Sequence, residues 1–336
     1  MLEKPPIQDD QISACLRDNY GLTITSIEFL PLGLDNYAGV YRLEASDTYA
    51  YFLKVKTGPV NVSSLALPRY LNDHGMDSVV APLPTTTGQL WCTVESFTLT
   101  LYPFINGKSG WGADLSDGLW NEYGEFLRSL HATKLPPEVL AHIPTENFKP
   151  DPHWHSIVKR LHETILHNYF AHPIENQVAA FWREKYDDID MVLKRTTVLS
   201  RIMQDRSHKM VICHADIHTG NLLITPDERL FVVDWDQPVM APKECDLLFV
   251  TQGGFLTNKP IVNLILRGYG DSEIDWQVMA YYRFARAVED FGGFAERIFL
   301  MDNVSDETKQ DSADWFRKQF DPGSIVHAAQ QLNHIV

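Results

Sequence analysis

No apolar run in this chain is long enough to cross a bilayer, and its opening, Met1-Leu2-Glu3-Lys4-Pro5-Pro6, lacks the apolar core of a secretory signal. A cytoplasmic protein is expected. Cysteine is scarce: Cys15, Cys92, Cys213 and Cys245 form no C-x-x-C pair and no His/Cys ligand spacing. Neither a disulfide framework nor a zinc site is expected, and each cysteine reads as a small core residue. Basic residues are in deficit, since 29 Lys and Arg face 44 Asp and Glu for a net charge of -15. That argues against nucleic acid or an anionic membrane as the main partner and suits a cationic substrate, although acidity serves solubility equally well. Internal repeats and low-complexity tracts are absent, and nothing marks an obligate protein partner.

What remains is a patterned globular chain. At 336 residues and 44% hydrophobic content it can bury a sizeable core, and its length suits two lobes better than one compact unit. The spacing of Ile12, Cys15 and Leu16 predicts a helix over 8–19, capped by Asp9 or Asp10 and ended at Tyr20-Gly21. Strand patterns at 22–30, 39–44, 49–56, 90–94 and 97–102 predict a mainly antiparallel sheet. A helix is expected over 63–73, with Pro68 an awkward interior residue that would delay its start. After Pro103, amphipathic segments at 116–131, 152–169 and 176–205 predict a helical lobe, continued at 260–269, 274–300, 305–319 and 324–335.

One polar stretch breaks this pattern. His214-Ala215-Asp216-Ile217-His218-Thr219-Gly220-Asn221 is framed by apolar runs at 210–213, 222–224 and 230–233, and the last run leads into Asp234-Trp235-Asp236. The turn-like segment 225–229 predicts a β-hairpin that brings Asn221 and Asp234 together. Transfer of a phosphoryl group to an alcohol needs a carboxylate to orient the hydroxyl and accept its proton. It also needs hard oxygen ligands for the Mg²⁺ that accompanies ATP. Asp216 is the candidate for the first task, and Asn221 and Asp234 for the second.

His214, Asp216, Asn221 and Asp234 resemble the catalytic and metal-binding pattern of the protein-kinase-like superfamily, and the string HADIHTGNLL resembles its aminoglycoside phosphotransferase family. Protein kinases follow the metal-binding Asp with Phe-Gly and a long activation segment. Here Trp235-Asp236 leads quickly through Pro238, Pro242 and Glu244-Cys245-Asp246 into apolar residues, which favours a small-molecule acceptor. Within the family, the segments at 101–107, 235–250, 281–291 and 320–326 resemble the spectinomycin phosphotransferases, and similarity runs over essentially the whole length. The resemblance implies an α+β, two-lobed protein-kinase-like fold. A small antiparallel-sheet nucleotide-binding lobe would span 1–105, with a hinge about 101–107, and a larger, mainly helical catalytic and acceptor-binding lobe would span 106–336.

It also implies roles. Lys54, in an alternating strand where it shares a face with Lys56, resembles the lysine that contacts the α- and β-phosphates. Gly33, Asp35 and Asn36 lie where the phosphate-covering turn belongs, although the stretch is no G-x-G-x-x-G. Tyr102, Phe104 and Ile105 fall in the segment that would read adenine. His214 reads as structural, and His218 as a candidate to stabilise the transferred phosphoryl group. For a cationic acceptor the candidates are Asp236, Glu289 and Asp290 as acids, with Trp235 and Tyr281 or Tyr282 as aromatic walls. One departure stands out: kinases pair the strand lysine with an acid on the next helix, and residues 60–67 offer none. Another carboxylate would have to serve, or phosphate alone would hold Lys54, or the helix would move on substrate binding. The expected activity is therefore ATP- and Mg²⁺-dependent O-phosphorylation of an aminoglycoside or aminocyclitol, with spectinomycin the leading acceptor. A housekeeping kinase for choline, homoserine, hydroxylysine or a sugar would share every catalytic residue. A non-catalytic pseudokinase is motivated by the missing acid and opposed by the intact Asp216, Asn221 and Asp234.

Overall fold

Alternation along one strand fixes how the first part of the chain is built. In the computed structural model, which describes residues 4–32, 38–250, 258–270, 273–302 and 304–335, Leu53 and Val55 are fully buried while Lys54 and Lys56 point to the opposite face. Their strand, Ala50–Thr57, is the centre of an antiparallel sheet of five. These are β1 (Ile24–Leu30), β2 (Ala38–Ala45), β3 (Ala50–Thr57), β4 (Cys92–Val94) and β5 (Phe97–Pro103), in the order β1-β2-β3-β5-β4. Lys54 pairs with Val40 on one side and Thr100 on the other.

The apolar face collects Tyr41, Leu43, Leu53, Val55, Leu99 and Leu101, and helix α1 (Asp9–Tyr20) covers it with Ile12, Cys15 and Leu16. Burying each such aliphatic side chain contributes about 1.5–3 kcal/mol. Neither Asp9 nor Asp10 caps α1, contrary to the sequence expectation. The N-cap is Gln8, whose N–H donates to Gln11 Oε1 at 3.0 Å, and the two aspartates sit in the first turn, where the helix dipole favours them. Gly21 ends the helix at φ 69°. Helix α2 (Ser63–Asp73) starts where the pattern placed it and is not delayed by Pro68. The missing N–H costs one bond, and burial of Leu65, Leu67 and Leu71 carries the helix across it.

The chain divides into two compact units. One comprises Met1–Leu119, Lys134–Pro144 and His214–Pro238; the other comprises Trp120–Thr133, Thr145–Cys213 and Val239–Val336. The first thus holds both the N-terminal sheet and the motif-bearing segment. In it β6 (Lys108–Ser109), β8 (Leu222–Ile224) and β9 (Leu230–Val232) form a small antiparallel sheet. The predicted hairpin is β8–β9, with Leu222 opposite Val232. Val232 also exchanges backbone bonds with Ser78 and Val80, which ties the hairpin to the segment after α2.

In the second unit, β7 (Val211–Cys213) pairs with β10 (Val239–Ala241), and the rest is helical. Helix α3 (Asp117–Ala132) lies mostly in it. The short α4 (Pro137–Leu140) belongs to the first unit, and α5 (Pro152–Thr164), α6 (Pro173–Glu184), α7 (Tyr186–Gln204) and α8 (Glu244–Val250) follow. Then come α9 (Lys259–Tyr269), α10 (Trp276–Phe299), α11 (Asp306–Lys318) and α12 (Ile325–Gln331). The 24-residue α10 is the axis, with α5, α6, α7, α8, α11 and α12 packed on it. Helices α3 and α9 touch at Gly124 and Gly268, where an added Cβ would lie 1.9 Å from Ile265 O and 2.0 Å from Asn121 O.

The single helix expected over 176–205 is two. Lys185, at φ -96° and ψ 17°, ends α6 and begins α7 without a glycine or proline to announce it. Tertiary packing supplies the reason, since α6 docks on α11 through Trp182 stacked on Phe316, while α7 runs along α10.

Candidate active site

Each side chain of the motif is fixed by a neighbour in the first unit. Buried His214 spends both ring nitrogens behind the loop: Nε2 donates to Val233 O at 3.0 Å and Nδ1 accepts from the Asp216 N–H at 3.3 Å. It bolts the loop to the end of β9. Ala215 and Asp234 adopt left-handed backbone, at φ 71° and 64°, a conformation that non-glycine residues keep only where the surroundings impose it. These two bends turn Asp216 and Asp234 out of their strand directions.

Asn221 Nδ2 donates to Asp216 O at 2.8 Å and to Asp216 Oδ2 at 3.3 Å. The amide's donor end is thereby taken up by Asp216, and its oxygen is the end suited to a cation. His218 Nδ1 accepts from the Gly220 N–H at 3.0 Å, so a neutral ring carries its proton on Nε2, which lies 3.7 Å from Asp216 Oδ2. Edge-on contact with Trp111 at 5.7 Å limits the ring's rotation. A backbone bond from Val233 N to Asn221 O at 3.0 Å brings the metal candidates to the same end of the hairpin, as its strand pairing predicted. The pair offers only hard oxygens, an amide and a carboxylate, which is the donor set Mg²⁺ takes.

Lys54 reaches across to this segment. Its Nζ donates to Asp234 Oδ1 and to Asp236 Oδ2, both at 2.8 Å, and Lys56 Nζ donates to the same Asp236 Oδ2 at 2.9 Å. Burial opposes charge on Lys54, whose side chain is 15% exposed, but Asp234 and Asp236 outweigh it and raise the ammonium pKa. Burial likewise opposes charge on Asp236, and Lys54 and Lys56 reverse it, so the carboxyl lies below its usual range. Tyr102, paired with Phe52 in the β3–β5 ladder, has its phenol pKa raised chiefly by burial. Phe104 lies under the Arg42 guanidinium at 5.0 Å, and the strand has ended before Ile105. Gly33, Asp35 and Asn36 lie outside the described residues. Gly39 belongs to β2, where its lack of a side chain admits Pro5: a Cβ there would meet the proline ring at 2.4 Å.

The acceptor candidates separate. Trp235 is an interior residue, 4.5 Å from the His214 ring with its Nε1 bonded to Val232 O, so its ring is not open to a ligand. Asp290 pairs with Arg286 one turn away at 2.8 Å. Tyr281 and Glu289, by contrast, line a cavity of about 510 Å³ within the second unit, together with Glu146, Asp151 and Trp154. Burial raises the Glu146 carboxyl above its ordinary value, against the Phe148 and Asn147 N–H groups that favour its charge. Asp151 caps α5 through bonds to the His153 and Trp154 N–H groups. Glu146 and Trp154 escaped the sequence reading because nothing in their local pattern distinguishes them. Asp151, just before Pro152, carries an N-cap signal that says nothing of a cavity. The four cysteines are buried and free of disulfides; Cys213 joins His131 and Asp246 in a buried cluster whose histidine is already bonded to Tyr269 and Asp246.

A mixed helical and antiparallel-sheet fold, with an H-x-D-x-x-x-x-N loop and a following Asp234 paired with a strand lysine, defines a kinase-like phosphotransferase. The chain belongs to the phosphotransferase enzyme family, whose model matches residues 26–282. Its structure is similar to that of the spectinomycin phosphotransferase APH(9)-Ia in complex with ADP and spectinomycin, at 29% identity, 98% coverage of this chain, 99% of that chain and a TM-score of 0.87. The AMP-bound complex of spectinomycin phosphotransferase aligns at 27% identity over 97% of this chain and 99% of that chain, with a TM-score of 0.82. An amicoumacin kinase in complex with AMP-PNP, Ca²⁺ and Ami shares the fold at 16% identity, 95% coverage of both chains and a TM-score of 0.63. No curated protein sequence matches the chain. Among the described residues no helix is long and apolar enough to cross a membrane.

Proposed function

We propose that the protein transfers the γ-phosphoryl group of ATP to a hydroxyl of an aminocyclitol or aminoglycoside antibiotic, with spectinomycin the leading acceptor, in the cytoplasm where ATP is available. The observation that carries this reading is that one unit holds both the Asp216–Asn221 bond and the Lys54–Asp234 pair, the residue types that phosphoryl transfer calls on. Asp216 orients the acceptor hydroxyl and takes its proton as the new P–O bond forms and ADP departs. Lys54 holds the phosphates, and His218 stabilises the transferring oxygens. Asn221 and Asp234 would hold Mg²⁺, which when bound neutralises charge on the triphosphate.

The preference for spectinomycin rests on the alignment at 29% identity over nearly both whole chains. The cavity lined by Glu146, Glu289, Tyr281 and Trp154 supports a cationic ligand, since carboxylates and aromatic faces together suit an ammonium group. The test is a radiometric ATP assay with Mg²⁺ across spectinomycin, aminoglycosides and small amino alcohols, with Asp216→Asn as control. Spectinomycin phosphorylation that falls by roughly 10²–10⁴-fold in the variant is expected. Turnover of amino alcohols alone would replace the antibiotic reading with a metabolic one, and unchanged turnover in the variant would remove Asp216 from its role.

A further inference from the structure

The strand lysine of this chain lacks its usual helix acid, since α2 carries no carboxylate in its first turn. Lys54 nevertheless makes two charge-assisted bonds, one to Asp234 and one to Asp236. Asp234 is the residue given to the metal, so it has another task once nucleotide binds. Asp236 has none. Its Oδ2 receives both Lys54 and Lys56, and its backbone carbonyl accepts Asn61 Nδ2 at 2.9 Å. Asn61 in turn holds the start of α2, because its Oδ1 accepts from Ser63 N at 3.2 Å and Ser63 Oγ at 2.7 Å. The connection between α2 and the strand lysine therefore exists, but it is built in reverse: the helix start grips the backbone of residue 236, and residue 236 supplies the charge.

We infer that Asp236 is the positioning carboxylate of Lys54, standing in for the absent helix acid, and is not a ligand of the cationic acceptor. The inference rests on the reading of Lys54 as the phosphate-binding lysine. Charge supports it, since a carboxylate oxygen already shared by two ammonium groups 2.8 and 2.9 Å away has little attraction left for a third cation. Reach supports it too. Lys54 has three N–H bonds to give, and Asp234 and Asp236 take two of them, aiming the side chain so that the last is left for a phosphate oxygen. With Asp234 engaged by a metal, Asp236 would be the partner that keeps Lys54 in place. Lys56, on the same face of β3, in turn steadies Asp236.

The experiment measures nucleotide affinity and acceptor KM separately. Asp236→Asn keeps the shape and removes the charge. We expect ADP and ATP binding without acceptor, read by calorimetry, to weaken about tenfold, the size of effect that loss of one charge-assisted bond produces. KM for ATP should rise in step, with KM for the acceptor within about twofold of wild type. Asp236→Asn should add nothing in a Lys54→Met background, the non-additivity expected of residues acting as one unit. Asn61→Ala should weaken nucleotide binding in the same direction, and it carries the test should Asp236→Asn lower the melting temperature sharply. A raised acceptor KM with unchanged nucleotide affinity would overturn the inference and return Asp236 to the acceptor. Failure of the wild type to phosphorylate any acceptor would strike the proposed function, while the calorimetric arms would still decide the inference.

Discussion

Asn221 binds Asp216 twice through one nitrogen, at the carbonyl oxygen 2.8 Å away and at the carboxylate Oδ2 3.3 Å away. The two residues thus share one geometry, and the orientation of the amide depends on having an N–H donor. Asn221→Asp would set a second carboxylate against both acceptors. Turnover is expected to fall by roughly 10²–10³-fold, as for loss of a positioned catalytic group, with a smaller change in acceptor KM. Steady-state kinetics over a range of Mg²⁺ concentrations checks this, and a variant that keeps turnover would show that the bond positions nothing.

Two adjacent glycines in α10 should respond to alanine with opposite sign. A Cβ at Gly292 would lie 2.9 Å from Trp154 Cβ and 3.0 Å from its backbone Cα, whereas a Cβ at Gly293 meets nothing within 4 Å. Gly292→Ala should therefore cost about 1–3 kcal/mol through overpacking. Gly293→Ala should gain about 0.5–1 kcal/mol from helix propensity and a stiffer unfolded chain. Urea denaturation of the two variants beside wild type measures both. Equal effects would mean that α10 and α5 are not packed as described.

Stability should fall as solutions are acidified from pH 7.5 to 5.5, and His162 is one cause. The ring is 5% exposed, accepts from Trp182 Nε1 at 3.3 Å, and burial holds its pKa below the ordinary 6.5. The folded protein keeps the imidazole neutral while the unfolded chain takes up a proton. The contribution is therefore complete above pH 6.5 and is lost as pH falls toward the lowered folded value. In His162→Gln the dependence of stability on pH over this window should flatten, whatever the variant does to stability at pH 7.5.

Glu146 should show the opposite linkage. Burial raises its folded pKa, so its protonated form favours the fold at low pH and that advantage is gone once pH has risen through the folded value. At pH 8 the wild type bears the cost of a buried charge, and Glu146→Gln should melt at a higher temperature. At pH 4 the difference should vanish. If the cavity holds the acceptor's ammonium, the same variant should raise the acceptor KM, so that stability and function move apart.

Much of this was legible beforehand. Lys54 and Lys56 fell on one face because a strand repeats every two residues, and both do reach the same carboxylate. The hairpin between Leu222 and Val232 followed from a turn-like segment between two apolar runs. Local rules failed where the deciding contact was distant. The break at Lys185 has no breaker residue because packing of α6 on α11 imposes it. Trp235, read as a wall for a ligand, is occupied by His214 and the Val232 carbonyl.

The sequence by itself determined the chemistry: periodicity and spacing act over a few residues, and they were enough to mark an aspartate, an asparagine and a second aspartate at the edges of successive apolar runs. Only the tertiary structure decided the pairing of charges. Asp236 meets Lys54 across 182 positions of chain, and the pair forms because the sheet and the β8–β9 hairpin belong to one unit. No local pattern encodes that contact, since a charge has no period and its partner is chosen by whatever the fold brings within 3 Å.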